Sequence, residues 1–146
     1  MSINKIVITG GPGAGKTIGM SWIQNEFTKL GYTVLFVPET ATELITGGVA
    51  PWTCGSNIDF QTCQMTLQLE KERIFEQAAR TMDAAKILIV CDRGAIDNKA
   101  YMDDLEFSQI LKKTRTTDFR FYLICMKDYS FVKVMTTSKT GGMHRP

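Results

Sequence analysis

The stretch that decides the fold is Gly10-Gly11-Pro12-Gly13-Ala14-Gly15-Lys16-Thr17. It satisfies the pattern G-x-x-x-x-G-K-[ST], and a strand-like apolar run precedes it while a helical pattern follows it. Its glycines let successive backbone N–H groups turn inward around a phosphate, and the start of the following helix adds a fixed positive partial charge. The sequence therefore predicts a phosphate-binding loop between the first strand and the first helix.

This loop predicts a Mg-nucleoside triphosphate as the ligand, with Mg²⁺ as the cofactor and either ATP or GTP as the nucleotide. Lys16 would reach the outer phosphates. Thr17 would give its hydroxyl to Mg²⁺, a hard cation that prefers oxygen ligands. The residues predicted to bind the nucleotide are Gly11, Pro12, Gly13, Ala14, Gly15, Lys16, Thr17 and Ile18.

Outward from the loop, four short apolar runs predict the strands of a sheet. None of them alternates apolar with polar residues, which is typical of strands that helices cover on both faces. Alternating strands and helices predict an α/β protein with the three-layer P-loop NTPase fold, a kinase-like parallel sheet flanked by helices. The four runs are Lys5–Thr9, Thr33–Val37, Ile87–Cys91 and Phe121–Cys125.

Apolar residues at helical spacing predict the helices between these strands. The first helix should end before Gly31, which suits the left-handed backbone at a helix C-terminus. A long helix from about Phe60 to Met82 has Asp59 as its candidate N-cap, and another helix is predicted around Asp104–Lys113. The predicted buried faces are Ile18, Trp22, Ile23, Phe27 and Leu30 on the first helix, and Phe60, Cys63, Leu67, Ile74, Ala78 and Met82 on the long one.

The third apolar run ends in a carboxylate, Asp92, at the edge of the sheet where the loop lies. This arrangement places an acid near the metal, so Thr17 and Asp92 are the predicted metal-site residues. Arg93 follows in place of the water-activating glutamate that motor-type ATPases commonly have. Its planar guanidinium could stabilise charge on a transferring phosphoryl group, or form a structural ion pair with Glu39 or Asp97.

Glu39 follows the second strand at the same edge. Its carboxylate could accept a proton from an acceptor hydroxyl, position a water molecule, orient a Mg²⁺-bound water, or simply be solvated. Directly after it, Thr40 and Glu43 have the capping-box spacing for a short helix that Gly47 would stop. The predicted catalytic residues are Lys16, Glu39, Asp92 and Arg93.

Three glutamines of the long helix, Gln61, Gln64 and Gln68, fall on one broad face. They could read a base or a sugar, or they could be solvated. The single histidine, His144, lies in a segment without a clear pattern and is predicted to be inert. The four cysteines form no C-x-x-C pair, so free thiols are expected.

Length and charge limit the remaining functions. The 146 residues fit a single domain, and the net charge of +2 is spread without a basic stripe, which argues against nucleic acid as a partner. The longest apolar runs fall short of the roughly 18 residues of a transmembrane segment, and the N-terminus has no signal-peptide pattern. A cytoplasmic protein is therefore predicted.

Four blocks of sequence together resemble the P-loop (AAA-type) domain of TRPL translocation defect proteins, which is grouped with the kinase domain of bacterial nicotinamide riboside kinases. The likeness covers about residues 3–102, and after Tyr101 it fades. The blocks are Ile8-Thr9-Gly10-Gly11-Pro12, Val37-Pro38-Glu39-Thr40-Ala41-Thr42 with Gly47-Gly48-Val49, Phe60-Gln61, and Cys91-Asp92-Arg93-Gly94-Ala95 with Asp97.

The resemblance implies a kinase-like fold that binds ATP or GTP, and for the animal proteins phosphoinositide binding and a role in membrane-protein trafficking. By the same likeness, Glu39 and the pair Asp92-Arg93 resemble the strand-end acid and the D-R motif of deoxynucleoside kinases. The chain is expected to be truncated on its C-terminal side, with residues 130–146 as a lid remnant or an irregular tail. Ser138-Lys139-Thr140-Gly141 resembles a trace of the basic lid.

Three functional hypotheses follow from these residues. The leading one is a Mg-dependent nucleotide-binding NTPase of kinase-like architecture. The second is a kinase for a small molecule, of nucleoside or nicotinamide riboside type, with Glu39 as the base and Arg93 as the clamp. The third is a nucleotide-switched adaptor with little turnover that passes its state to a protein or membrane partner.

Overall fold

The computed structural model describes residues 1–10, 15–113, 122–127, 130–137 and 143–144 of the chain. Strands and helices alternate through most of this length, as the sequence predicted. The elements are β1 (Ser2–Thr9), α1 (Lys16–Lys29), β2 (Thr33–Val37), α2 (Thr40–Thr46), α3 (Asn57–Thr81), β3 (Lys86–Asp92), a 3₁₀ helix (Ala95–Tyr101), α4 (Asp104–Lys113), β4 (Tyr122–Lys127), β5 (Ser130–Thr137) and β6 (Met143–His144).

The strands form one sheet in the order β2-β3-β1-β4-β5-β6. The first four of these run parallel, with β1 between β3 and β4 and with β2 at the edge. β5 pairs antiparallel with β4, and β6 pairs antiparallel with β5. The predicted α/β P-loop fold is confirmed, and the sheet is mixed rather than wholly parallel.

Two helices cover the opposite faces of the sheet. α1 packs on a cluster that contains Ile6, Ile8 and Ile23, whereas a second cluster around Val7 and Ala79 lies under α3. Consecutive residues of β3 enter the two clusters in turn, so every one of its apolar side chains is buried. Because both faces are covered, the strand shows no polar alternation in its sequence.

The strand β5 corrects the prediction of an irregular tail from residue 130. β4 and β5 are joined by a short connection, since Lys127 pairs with Ser130. The stretch from Phe131 to Thr137 is rich in aromatic and β-branched residues, which favour a strand when a neighbouring strand is available for pairing. The proposed lid trace, Ser138–Gly141, lies outside the described residues.

The buried side of α1 differs from the predicted one. Ile23 is buried, but Ile18, Trp22 and Leu30 are exposed to 62%, 52% and 62%. The helix instead contacts the sheet through Met20, Ile23 and Phe27, which lie three and four residues apart. The apolar pattern of α1 is wider than the face that the sheet covers.

The long helix α3 begins earlier than predicted, because Ser56 rather than Asp59 is its N-cap. The Asp59 N–H donates to Ser56 Oγ over 3.2 Å, so Asp59 belongs to the first turn. The predicted apolar face is also wrong in part, since Cys63, Ile74 and Met82 are exposed. The buried residues of α3 are Phe60, Gln61, Met65, Gln68, Glu72 and Ala79.

The buried face of α3 differs from the predicted one because Lys5 of β1 points toward this helix. Lys5 Nζ is 3.0 Å from Glu72 Oε2 and 2.6 Å from Glu76 Oε1. A strand that carries a lysine on its buried face requires carboxylates opposite, because an unpaired buried charge is strongly unfavourable. The helix therefore turns a polar stripe toward the sheet.

The short helix α2 is present at the predicted place, but its capping box does not form. The N-cap residue is Glu39, and no side chain caps the helix. The Thr40 hydroxyl donates to Gln68 Oε1 of α3 instead. Within the described part of the chain, no helix combines the length and the apolar character needed to cross a membrane.

Candidate nucleotide-binding site

The carboxyl ends of three parallel strands meet at one edge of the sheet. Gly10 directly follows β1 and Arg93 directly follows β3, whereas Pro38 separates Glu39 from the end of β2. Ile8 pairs with Asp92 in the sheet, and the Arg93 N–H then donates to the Ile8 carbonyl over 2.9 Å. Ligands of open parallel sheets bind at this edge.

The start of α1 is shaped to receive an anion. Gly15 is its N-cap, with a left-handed backbone at φ 83°, and it provides no side chain to the free N–H groups. No acidic residue lies in the first turn, so the positive end of the helix dipole is not neutralised there. Gly11–Ala14 lie outside the described residues, and their contacts with a nucleotide stay a prediction.

Lys16, predicted to reach the outer phosphates, and Asp92, predicted to lie near the metal, are in contact. Lys16 Nζ is 3.2 Å from Asp92 Oδ1, and both side chains are largely buried. Thr17 and Ile18, next along the helix, are exposed. The lysine and the acid therefore neutralise each other beside the first turn of α1.

Glu39 and Arg93 form a second ion pair, with Arg93 Nε 3.5 Å from Glu39 Oε1. Of the two partners that the sequence allowed for Arg93, the structure selects Glu39. The guanidinium also donates to the Gly10 carbonyl and to Tyr101 Oη, each over 3.3 Å. Burial lowers the pKa of Arg93, but Glu39 and Tyr101 outweigh burial and raise the pKa, so the guanidinium stays charged.

The backbone of Arg93 is left-handed, with φ 64°, and it is the single non-glycine with positive φ in the part of the chain that the structure describes. A residue with a Cβ is strained in this region. Strained residues of this kind cluster at functional sites, where the surrounding structure holds them. The strain thus falls at the position that sequence reasoning assigned to the phosphoryl clamp.

Asp97, named above as a possible partner of Arg93 and as part of the fourth resemblance block, was not among the predicted site residues but lies at the site. It accepts from Thr9 Oγ1 over 2.6 Å and from the Gly94 N–H over 2.8 Å. Burial raises the pKa of Asp97, while these hydrogen bonds act in the opposite direction. Asp97 therefore ties the end of β1 to the turn after β3. The sequence feature that could have identified Asp97 is its position three residues after Gly94, from which its carboxylate can accept from the Gly94 N–H.

The three glutamines do not act alike. Gln68 is buried, and its amide bonds to Thr40, Glu72 and the Arg93 carbonyl, so it has no free N–H for a ligand. Gln61 is buried as well, and its Oε1 has no hydrogen-bond partner among the described residues. Gln64 is half-exposed. A ligand-reading role is wrong for Gln68 and stays a prediction for the other two.

Among the residues that the structure describes, no group of three or more His, Cys, Asp or Glu side chains could hold a metal ion by itself. The Thr17 hydroxyl and the Asp92 carboxylate, hard oxygen ligands of the kind that Mg²⁺ prefers, stay the predicted metal ligands. A protein site of two oxygens suits an ion that arrives with the oxygens of a bound phosphate.

A comparison with protein families agrees with this reading of the fold and the loop. The family model described as an AAA domain matches residues 5–134, from the first strand into β5. No curated protein matches the chain. P-loop domains of this kind bind nucleotides. With the fold, the loop and the family match in agreement, the chain belongs to the AAA domain family of nucleotide-binding P-loop proteins.

Proposed function

We propose that the protein is a Mg²⁺-dependent nucleoside triphosphatase of kinase-like architecture that binds ATP or GTP at the carboxyl edge of the sheet. The observation that carries the proposal is the Lys16–Asp92 pair, 3.2 Å long, beside the uncapped start of α1. The Lys16 ammonium has the Asp92 carboxylate as its partner. When phosphates occupy the loop, it exchanges that partner for a phosphate oxygen.

With Lys16 bound to phosphate, Asp92 would be available as a metal ligand. Thr17 and Asp92 would hold Mg²⁺ together with the nucleotide, and the ion would neutralise charge on the phosphates. Lys16 would bind the outer phosphates, and the N–H groups of the first turn of α1 would bind the inner ones. Arg93, which stays cationic, would stabilise the charge that develops on the transferred group.

Replacement of Lys16 tests nucleotide binding. We expect Lys16→Ala to weaken the binding of Mg-ATP and Mg-GTP by about 10- to 100-fold, the value of a hydrogen bond to a charged group. Calorimetric titration with and without Mg²⁺ measures the change. Lys29→Ala, at the exposed opposite end of the same helix, is the matched control and should bind as the wild type does. Equal affinities for the two variants would contradict the proposal.

A second candidate function, a kinase for a small hydroxylated molecule, is favoured by the Glu39–Arg93 pair. Glu39 lies at the same edge as Lys16 and Asp92, and its carboxylate is free of a capping bond to α2. In this reaction Glu39 would take the proton from the acceptor hydroxyl, whose oxygen then bonds to the terminal phosphorus as the bond to the nucleoside diphosphate breaks. Arg93 would bind the oxygens of the phosphoryl group in transit.

Turnover assays separate the two functions. Phosphate release without any acceptor supports the triphosphatase, whereas ADP or GDP formation that requires a nucleoside or nicotinamide riboside supports the kinase.

We expect Glu39→Gln to leave the nucleotide affinity within about twofold and to lower turnover by about 10²- to 10⁴-fold, the usual effect of losing a general base. Glu43→Gln is the control, because Glu43 is a carboxylate of α2 that pairs with Lys71 of α3. Unchanged turnover in Glu39→Gln removes this residue from the reaction, and tight binding with negligible wild-type turnover favours the nucleotide-switched adaptor.

A further inference from the structure

The pairing between β2 and β3 ends before the two site residues that follow these strands. Their parallel pairing stops at Val37 and Cys91. Glu39 and Arg93 lie two residues beyond this last pair. The Arg93 N–H still donates to the Ile8 carbonyl of β1, but β2 and β3 no longer pair with each other there. The 3.5 Å separation of their side chains therefore requires another connection.

The amide of Gln68 supplies that connection from α3. Its Oε1 accepts from the hydroxyl of Thr40, which directly follows Glu39. Its Nε2 donates to the carbonyl of Arg93 over 3.3 Å, and to Glu72 Oε1 over 2.8 Å. One side chain thus connects the Thr40 hydroxyl, next to Glu39, with the Arg93 backbone, beyond the last β2–β3 pair.

The orientation of this amide is fixed. Both acceptors of its N–H groups, the Arg93 carbonyl and the Glu72 carboxylate, lack hydrogen atoms, so a flipped amide would bring oxygen against oxygen. Glu72 is itself held by Lys5 over 3.0 Å. Gln68 is only 3% exposed, and water cannot readily replace its partners.

We infer that Gln68 is a positioning residue for the Glu39–Arg93 pair: its amide bridges the Thr40 hydroxyl at the start of α2 and the Arg93 carbonyl after β3, and it holds both site residues, including the strained backbone of Arg93, in place. The inference rests on the proposed function in one respect, since it assigns Glu39 and Arg93 to turnover. It predicts that turnover depends on a buried side chain that touches neither nucleotide nor acceptor.

Gln68→Met is the direct test, because methionine is similar in length and size and removes every hydrogen bond of the amide. We expect nucleotide affinity to stay within about twofold of the wild type, since the loop and Lys16 are untouched. Turnover should fall by roughly 10²-fold, as expected for a displacement of reacting groups by about 1 Å. Gln77→Met, at an exposed position of the same helix, is the matched control and should keep wild-type turnover.

A second measurement does not depend on activity. The coupling between Glu39 and Arg93 is obtained from the urea midpoints of Glu39→Gln, Arg93→Met and the double variant. The midpoint shifts should be non-additive in the wild-type background and additive in the Gln68→Met background. If Gln68→Met does not fold, Thr40→Val removes the same bridge from the other side and serves as the background.

The outcomes separate this inference from the proposed function. A coupling that survives in Gln68→Met, or wild-type turnover in a folded Gln68→Met, overturns the positioning role. A coupling that is lost supports it, even where the wild type turns over no acceptor and the proposed kinase reaction fails. A loss of nucleotide affinity equal to the loss of turnover would show a general distortion of the site and would also overturn the inference.

Discussion

Lys5→Met should destabilise the protein far more than the loss of an ordinary surface ion pair. Lys5 Nζ lies 3.0 Å from Glu72 Oε2 and 2.6 Å from Glu76 Oε1. The side chains are exposed to 17%, 7% and 31%, respectively. Methionine keeps the apolar stem of the lysine and removes only the charge, so the substitution leaves no sizeable cavity.

The expected loss follows from the carboxylates that remain. Removing one partner of a buried ion pair typically costs about 3–5 kcal/mol, because the other charge is left uncompensated. Glu76 can turn to water, whereas Glu72 cannot, so we expect the lower end, about 3 kcal/mol. Burial alone would lower the pKa of Lys5, but the charges of Glu72 and Glu76 raise it above 10.5. The lysine is therefore charged at neutral pH, and this stabilisation is complete below pH 10.5 and is lost at higher pH.

Urea unfolding at pH 7 measures the difference. Lys29→Met is the control, because Lys29 pairs with Glu26 at 2.8 Å but is 71% exposed, and exposed pairs contribute at most about 1 kcal/mol. The double variant Lys5→Met with Glu72→Gln should recover part of the loss, since no buried charge is then unpaired. A Lys5→Met variant as stable as Lys29→Met would refute the conclusion that pairing with Lys5 sets the buried face of α3.

Two further predictions concern β3 and the turn after it. A Cβ at Gly94 would lie 3.1 Å from both γ-carbons of buried Val7, so Gly94→Ala should cost about 1–3 kcal/mol in urea unfolding, and a neutral result would contradict the close contact. Burial, and next the charge of Glu72, raises the pKa of the Cys91 thiol above its ordinary value of 9.0, so the native state keeps a proton that the unfolded chain loses. The stability from this thiol is complete below pH 9.0 and is lost above it, by about 1.4 kcal/mol between pH 8 and pH 10. The loss should be absent from the pH profile of Cys91→Ala.

The sequence was sufficient for the features that local patterns determine. Non-alternating apolar runs identified the four parallel strands, because residues covered on both faces need no polar alternation. Gly31 was expected to take a left-handed backbone, and its φ is 85°. The edge that collects Lys16, Glu39 and Asp92 followed from the direction of parallel strands.

Features set by distant contacts could not be predicted in the same way. The buried face of α3 depends on Lys5, which lies 67 residues away from Glu72 in the sequence, so an apolar pattern within the helix pointed to the wrong side. Thr40 has capping-box spacing, but its hydroxyl donates to the buried amide oxygen of Gln68 on α3 and does not cap α2. The choice of Glu39 over Asp97 as the partner of Arg93 also depends on the fold, because Thr9 and Gly94 already occupy Asp97.

Because the backbone of Arg93 is left-handed, stability and function favour different residues at this position. Glycine would relieve roughly 1 kcal/mol or more of torsional strain, whereas it would remove the guanidinium that contacts Glu39, Tyr101 and Gly10. A laboratory selection that rewards heat resistance alone would therefore tend to accept glycine there. A selection that rewards phosphate chemistry would keep arginine, and the residue recovered would reveal which of the two properties was under pressure.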